Sequence, residues 1–80
     1  MKFEIYTKDN CTFCTQIKQV FNLKKLNYLE YKLDVDFDRE SFISEFGKNS
    51  TFPQVLCDDK KLGGSTDTIK YLKENGIIWQ

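Results

Sequence analysis

The spacing of apolar positions changes several times along the chain, which predicts strands and helices in alternation. Aromatic and β-branched residues dominate Lys2–Thr7, and this composition predicts a first strand. The polar run Lys8-Asp9-Asn10 ends that strand. From Cys14 to about Leu26 the apolar residues recur at helical spacing, so we predict a first helix there. Tyr28–Asp34 then alternates as expected of a second strand.

The second half of the chain predicts a short helix, a hairpin and a final helix. The short helix follows Asp38, whose side chain suits an N-cap, and stops at Gly47. Its apolar face comprises Phe42, Ile43 and Phe46. The hairpin joins Gln54–Cys57 to Lys60–Leu62, and the final helix covers about Ser65–Asn75. We expect the apolar tail to dock back on the body; it consists of Ile77, Ile78 and Trp79.

The predicted order of elements, β-α-β-α-β-β-α, places the protein in the α/β class. A β-α-β start gives a right-handed crossover between parallel strands, and the closing hairpin adds two antiparallel strands. We therefore expect a four-stranded mixed sheet flanked by three helices. A chain of 80 residues has the length of one small domain, covering residues 1–80.

The charge balance excludes several classes of partner. Twelve basic side chains match twelve acidic ones, so no basic field attracts nucleic acid or a membrane surface. The longest apolar runs are a few residues, whereas a membrane-spanning helix needs roughly 20. The first five residues resemble a strand and lack a long apolar stretch, so we expect no secretory signal.

Three cysteines and the absence of histidine restrict the chemistry. An odd cysteine count without a secretory signal favours a reducing compartment, the cytoplasm. Without histidine, the chain has no Cys–His nucleophile, no Ser–His–Asp triad and no histidine metal ligand. Any reactive cysteine must therefore be activated without an imidazole.

The spacing of Cys11 and Cys14 suits a reversible disulfide. Residues three apart at a helix start lie close enough for their sulfur atoms to bridge. Cys11 precedes the helix and has Lys8 three residues upstream; the helix dipole and this cation both stabilise a thiolate. Cys14 lies within the first turn, where we expect greater burial, so it is the candidate resolving thiol. The cycle begins with attack of Cys11 on a disulfide and ends with displacement by Cys14 or an external thiol.

Two other interpretations of these cysteines remain. A structural zinc site needs four ligands, and only Cys57 is left to join the pair. Alternatively, the cysteines are ordinary buried side chains, which is our interpretation of Cys57 itself.

Pro53, the only proline, follows Thr51-Phe52 at the start of a predicted strand. A proline cannot donate a ladder hydrogen bond, so it belongs at a strand start or edge. Sequence physics leaves the isomer open, and only about 5–6% of such bonds are cis.

Four features, in this order and at these separations, resemble the glutaredoxin family. They are Lys8, Cys11-Thr12-Phe13-Cys14, Thr51-Phe52-Pro53 and Gly63-Gly64-Ser65-Thr66-Asp67. The resemblance covers essentially the whole chain and implies the thioredoxin fold, a cis Pro53 and a monomeric thiol–disulfide oxidoreductase with glutathione as co-substrate. It assigns Cys11 as the nucleophile and Cys14 as the resolving thiol. Disulfide-bearing proteins, ribonucleotide reductase among them, are the implied substrates.

The resemblance also implies a glutathione site. Lys8 would pair with the glycine carboxylate, and the backbone of Phe52 would bond the cysteinyl part. The N–H groups of Ser65 and Thr66 would hold the γ-glutamyl carboxylate, since a helix N-terminus binds anions. The full set is Lys8, Phe13, Thr51, Phe52, Pro53, Gly64, Ser65 and Thr66.

The chain departs from the family pattern at three positions. Thr12 replaces the common proline, and related proteins without that proline hold an iron–sulfur cluster between two subunits, so a glutathione-ligated cluster carrier is an alternative function. Thr66 replaces a frequent acidic residue that recognises the γ-glutamyl ammonium. Lys48 lies slightly too early to be the basic residue usual before the Thr-x-Pro element. A further alternative is a thioredoxin-like electron donor recharged by a flavoprotein reductase.

Overall fold

The computed structural model describes residues 1–78, and it confirms the predicted order of elements. The elements are β1 (Phe3–Thr7), α1 (Thr12–Leu23), β2 (Tyr28–Lys32), α2 (Arg39–Phe46), β3 (Gln54–Cys57), β4 (Lys60–Gly63) and α3 (Ser65–Glu74). No helix among these residues is long and apolar enough to cross a membrane.

The four strands form one mixed sheet in the order β2-β1-β3-β4. β1 pairs in parallel with β2 and antiparallel with β3, which in turn pairs antiparallel with β4. Asp58 and Asp59 form the hairpin turn between β3 and β4, and both have positive φ angles, 49° and 69°. That backbone matches the twist of the flanking strands, as in type I′ turns.

Side chains of β1 alternate between the two faces of the sheet and so define two helical layers. On one face, Phe3 and Ile5 pack in the main core with residues of α1 and α3. On the other face, Tyr6 meets the ring of Phe46 on α2, with centroids 5.0 Å apart. The main core consists of Phe3, Ile5, Ile17, Phe21, Val55, Cys57, Leu72 and Ile78.

The structure corrects several predicted boundaries. Helix α1 begins at Thr12, two residues before the prediction, because Cys11 caps it through sulfur rather than through an oxygen side chain. It ends at Leu23 rather than near Leu26. The helix does not continue because Lys25 adopts a positive φ of 57°, which is not a right-handed helical conformation. Strand β2 ends at Lys32 rather than at Asp34. The N–H of Lys32 donates a hydrogen bond to the Asp36 carboxylate at 2.8 Å.

The apolar face of α2 is narrower than predicted. Phe42 is buried at 3% exposure, but Ile43 is 36% exposed. Asp38 caps this helix as expected, accepting the N–H of Ser41 at 2.8 Å. Ile78 docks on the main core as predicted, whereas Trp79 lies outside the described residues.

Candidate active site

Cys11 and Cys14 are joined by a disulfide at the start of α1, with Cα atoms 5.2 Å apart. Cys11 is the N-cap, and its extended backbone lets Sγ accept the N–H of Cys14 at 3.1 Å. The first N–H groups of a helix have no intrahelical partner and carry the positive end of its dipole. In the reduced protein, this position stabilises a thiolate on Cys11 without an imidazole.

The two sulfur-bearing side chains differ in access. Cys14 is 1% exposed, while Cys11 is only partly buried. An external disulfide can therefore approach Cys11 but not Cys14, and this is the asymmetry in burial expected from the sequence.

The loop before Cys11 is held to the end of β2. The Lys32 ammonium lies 2.7 Å from the Asp9 carboxylate, and Asn10 adopts a positive φ of 55°. Together these features turn the chain sharply from β1 into α1 and bring Cys11 to the surface.

A groove runs from Cys11 past the Phe52–Pro53 peptide, which is cis, to the start of α3. It consists of two adjoining clefts, of about 420 and 410 Å³, that share Phe13, Ser50, Thr51 and Phe52. We call it the Pro53 groove. The first cleft contains every residue of the predicted glutathione site except Lys8. Lys8 lines the second cleft, together with Cys11.

Aromatic packing fixes Phe52 in the wall of this groove. Its ring stacks on that of Phe42, with centroids 4.2 Å apart and planes 13° apart. The ring of Phe37 stacks on that of Phe52, with centroids 6.1 Å apart, and on that of Phe42, with centroids 5.8 Å apart. The Lys8 ammonium lies 5.6 Å from the centroid of Phe52, within the range of a cation–π contact. Helix α2 therefore supports the groove through its buried phenylalanine.

The far end of the groove is the N-terminus of α3. Gly64 is the N-cap and provides no side-chain hydrogen bond, so the first N–H groups of the helix face the groove uncapped. Gly63 adopts a φ of +108°, and a Cβ there would come within 2.7 Å of the Asp67 Oδ2. The glycine thus leaves room for the Asp67 carboxylate to fold over the chain.

Two charged residues of the groove had no role in the site predicted from the sequence. Asp67 lines the first cleft, and an acidic side chain is therefore present despite the threonine at position 66. Arg39 lines the second cleft and adds a basic side chain to it, whereas Lys48 lines neither cleft. Asp67 was visible within the Gly-Gly motif. Arg39 follows a helix cap 28 positions after Cys11, and only the fold brings the two together.

A third cleft, of about 820 Å³, lies against the other side of the dithiol and is lined by both Cys11 and Cys14. We call it the Glu30 cleft. The Glu30 carboxylate accepts hydrogen bonds from the Thr7 hydroxyl at 2.7 Å and the Lys18 ammonium at 2.9 Å. Burial raises the pKa of Glu30, but these bonds and the charges of Lys18 and Lys32 outweigh it, so the pKa is lowered. Glu30 is thus held as a carboxylate.

Cys57 is a free thiol at 4% exposure within the main core, as predicted for a small buried apolar residue. Its Sγ lies 4.0 Å from the hydroxyl of Tyr71. Within residues 1–78, the side chains of cysteine, aspartate and glutamate form no group of three suited to a metal ion.

Comparison with known sequences identifies one family. The family model described as Glutaredoxin matches residues 3–62. Glutaredoxin 1 of Rickettsia prowazekii is 32% identical over 75 residues, which cover 91% of this chain and 79% of that protein. Glutaredoxin 3 of Escherichia coli K12 is 34% identical over 65 residues, covering 80% and 77%.

Solved structures agree with the sequence comparison and establish the thioredoxin fold. Glutaredoxin 1 of Francisella tularensis, solved in complex with cacodylate, superposes with a TM-score of 0.78 at 29% identity and 95% coverage of both chains. A buckwheat glutaredoxin–glutathione complex gives a TM-score of 0.76 at 21% identity, covering 91% of this chain and 69% of that one.

Proposed function

This chain belongs to the glutaredoxin family, and we propose that it is a glutathione-dependent thiol–disulfide oxidoreductase acting through Cys11 and Cys14. The observation that carries the proposal is the unequal access of two bonded sulfur atoms at a helix N-terminus. Cys11 opens on the Pro53 groove, whereas Cys14 is buried behind it. A dithiol that reacts in a fixed order needs this difference.

The proposed cycle is a pair of thiol–disulfide exchanges. The Cys11 thiolate attacks one sulfur of a substrate disulfide, and the other sulfur leaves as a thiolate that takes up a proton. The Cys14 thiol then loses its proton and attacks Cys11 Sγ, which releases the substrate thiol and forms the observed disulfide. Two molecules of glutathione reduce that disulfide and leave as glutathione disulfide.

The Pro53 groove is the proposed glutathione site. In this proposal the Lys8 and Arg39 cations bind the glycine carboxylate, and the Phe52 backbone hydrogen-bonds the cysteinyl part. The N–H groups at the start of α3, from Ser65 onward, bind the γ-glutamyl carboxylate. Asp67 provides a partner for the γ-glutamyl ammonium. Glutathione in the structure of the buckwheat relative supports the choice of ligand.

The proposal includes the setting in which the protein acts. We assign it to the cytoplasm as a monomer that reduces protein disulfides and glutathione mixed disulfides. The free, buried Cys57 supports a reducing compartment, where an unpaired thiol persists.

Exchanging each cysteine for serine tests the assigned roles. Cys11→Ser should reduce both activities to the uncatalysed rate because it removes the attacking sulfur. Cys14→Ser should keep most of the activity on glutathione mixed disulfides, where glutathione resolves the intermediate, and lose protein-disulfide reduction. Both activities are measured by a coupled assay. Equal losses in the two variants would contradict the assignment.

The source of electrons is tested with the unmodified protein. A coupled assay offers glutathione with its reductase in one reaction and a flavoprotein thioredoxin reductase in another. We expect turnover with glutathione. Turnover with the flavoprotein alone would replace glutathione dependence with the thioredoxin-like alternative, while leaving the roles of the cysteines intact.

A further inference from the structure

The two sides of the dithiol differ in how their charges are compensated. In the Glu30 cleft, Lys18 lies 2.9 Å from Glu30 and Lys32 lies 2.7 Å from Asp9. The remaining carboxylate of that cleft, Asp36, accepts the N–H of Lys32 at 2.8 Å, and the remaining lysine, Lys8, lines the Pro53 groove as well. In the Pro53 groove, the charged side chains form no ion pair within residues 1–78; they are Lys8, Arg39 and Asp67.

The uncompensated charges of the groove are sorted by sign. Lys8 and Arg39 line the cleft that contains Cys11, and Asp67 lines the adjoining cleft at the start of α3. Phe13 and Phe52 lie in both clefts, so an aromatic strip separates the positive end from the negative end. A bound chain whose cysteine reaches Cys11 therefore meets cations on one side and a carboxylate on the other.

We propose that this charge order selects protein substrates in which the reacting cysteine has a basic residue before it and an acidic residue after it. The inference rests on the proposed function, which places the glycine of glutathione at Lys8 and the γ-glutamyl group at α3. A peptide running in the same direction directs its C-terminal side to Lys8 and Arg39. Inside a protein chain no terminal carboxylate is available, so an acidic side chain must replace it.

The positions of those residues are chosen from the reach of an extended chain. Two residues span at most about 7 Å, so we place the charged side chains within two positions of the cysteine, where they stay close to the groove. The three groove charges are exposed, and each contact with an exposed partner is individually weak. Reversing the order replaces attraction by repulsion at both ends, and we expect a rate difference of about tenfold, mostly in association.

The test uses the reduced Cys14→Ser variant and two peptides of identical composition. One has lysine two positions before its cysteine and aspartate one position after it; the other has the two exchanged. Each peptide is supplied as a mixed disulfide between its cysteine and thionitrobenzoate. Because thionitrobenzoate is a better leaving group than the peptide thiolate, the Cys11 thiolate attacks the peptide sulfur and bonds to it. The S–S bond breaks, thionitrobenzoate leaves as a thiolate, and its absorbance reports the rate.

We expect the lysine-first peptide to react about tenfold faster at low ionic strength, and the ratio to approach one in 1 M salt, where the screening length is about 3 Å. In the double variant Lys8→Glu with Arg39→Glu, the advantage should disappear or reverse. The matched control is Lys18→Gln in the Glu30 cleft, which should leave the ratio unchanged. A ratio altered by Lys18→Gln alone would overturn the assignment to the Pro53 groove.

The mixed disulfide of glutathione with thionitrobenzoate separates this inference from the proposed function. If it reacts rapidly while the two peptides react at equal rates, the charge-order inference is wrong and the proposed function stands. If it reacts no faster than with a free thiol in solution, the proposed function itself is wrong.

Discussion

The Pro53 groove and the Glu30 cleft share Cys11 and Lys8 but differ in how many of their charged side chains form ion pairs. The Glu30 cleft has a volume of about 820 Å³, and two of its lysines, Lys18 and Lys32, form ion pairs with carboxylates of the same cleft. The Pro53 groove is formed by two smaller clefts, and its charged side chains form no ion pair within residues 1–78. The two sites are therefore similar in total volume, and ion pairing rather than size distinguishes them.

The difference follows from competition between internal and external partners. A ligand that enters the Glu30 cleft must displace hydrogen bonds already made by Thr7 and Lys18 to Glu30. A ligand in the groove meets uncapped N–H groups at α3 and free side-chain charges. We therefore expect substitutions in the groove to alter ligand binding, and substitutions in the Glu30 cleft to alter stability.

The largest effect is expected from Ser65→Pro. Ser65 is the first residue of α3, where proline is tolerated because its missing N–H has no intrahelical partner. The variant should fold but lose a charge-assisted hydrogen bond of about 1.5–3 kcal/mol to the γ-glutamyl carboxylate. This corresponds to a KM for glutathione mixed disulfides raised by about 10- to 100-fold, measured by steady-state kinetics.

Ser65→Ala is the matched control because it removes the hydroxyl and keeps the N–H. Its KM should stay near that of the parent protein. If the alanine variant loses as much affinity as the proline variant, the hydroxyl rather than the backbone binds the ligand.

An intermediate effect is expected at the paired glycines. Gly63→Ala combines a φ of +108° with a Cβ 2.7 Å from Asp67 Oδ2, so it should lower the free energy of unfolding by about 1–3 kcal/mol. Gly64→Ala, whose Cβ would lie 3.6 Å from the Pro53 carbonyl, should cost less than about 1 kcal/mol. Urea unfolding measures both. Equal costs would show that Asp67 does not occupy the space above Gly63.

The smallest effect is expected from Glu30→Gln, which should leave activity unchanged. The bonds from Thr7 and Lys18 lower the pKa of Glu30 below its ordinary value of 4.5. Their stabilisation is therefore present above that value and lost as the pH falls through the lowered folded-state pKa. The variant should be less stable than the parent at pH 7 by under about 1 kcal/mol, and the difference should vanish in acid.

Urea unfolding of the parent protein and of Glu30→Gln, at pH 7 and at about pH 3, measures whether their difference in stability is present at the higher pH and lost at the lower one. Reduced activity in Glu30→Gln at pH 7 with unchanged stability would mean that the Glu30 cleft takes part in the reaction.

The local elements of this protein were largely predictable because they depend on short-range patterns. Alternation in β1, the Asp38 cap of α2 and the bounds of β3 all follow from neighbouring residues. The start of α1 was missed because a sulfur atom serves as its cap, which the usual list of capping residues omits. Ile43 was misplaced because helical spacing alone does not define the width of the buried face.

The sequence by itself predicted the cysteine pair, the greater burial of Cys14 and the fold class, since two cysteines three apart at a helix start and the β-α-β start are visible in the chain. Tertiary structure alone brought Arg39 beside Lys8 and paired Lys18 with Glu30. These residues lie far apart in the chain, and whether a charge is compensated depends on distances that no local pattern encodes. The fold therefore decided which charges remain available to a substrate.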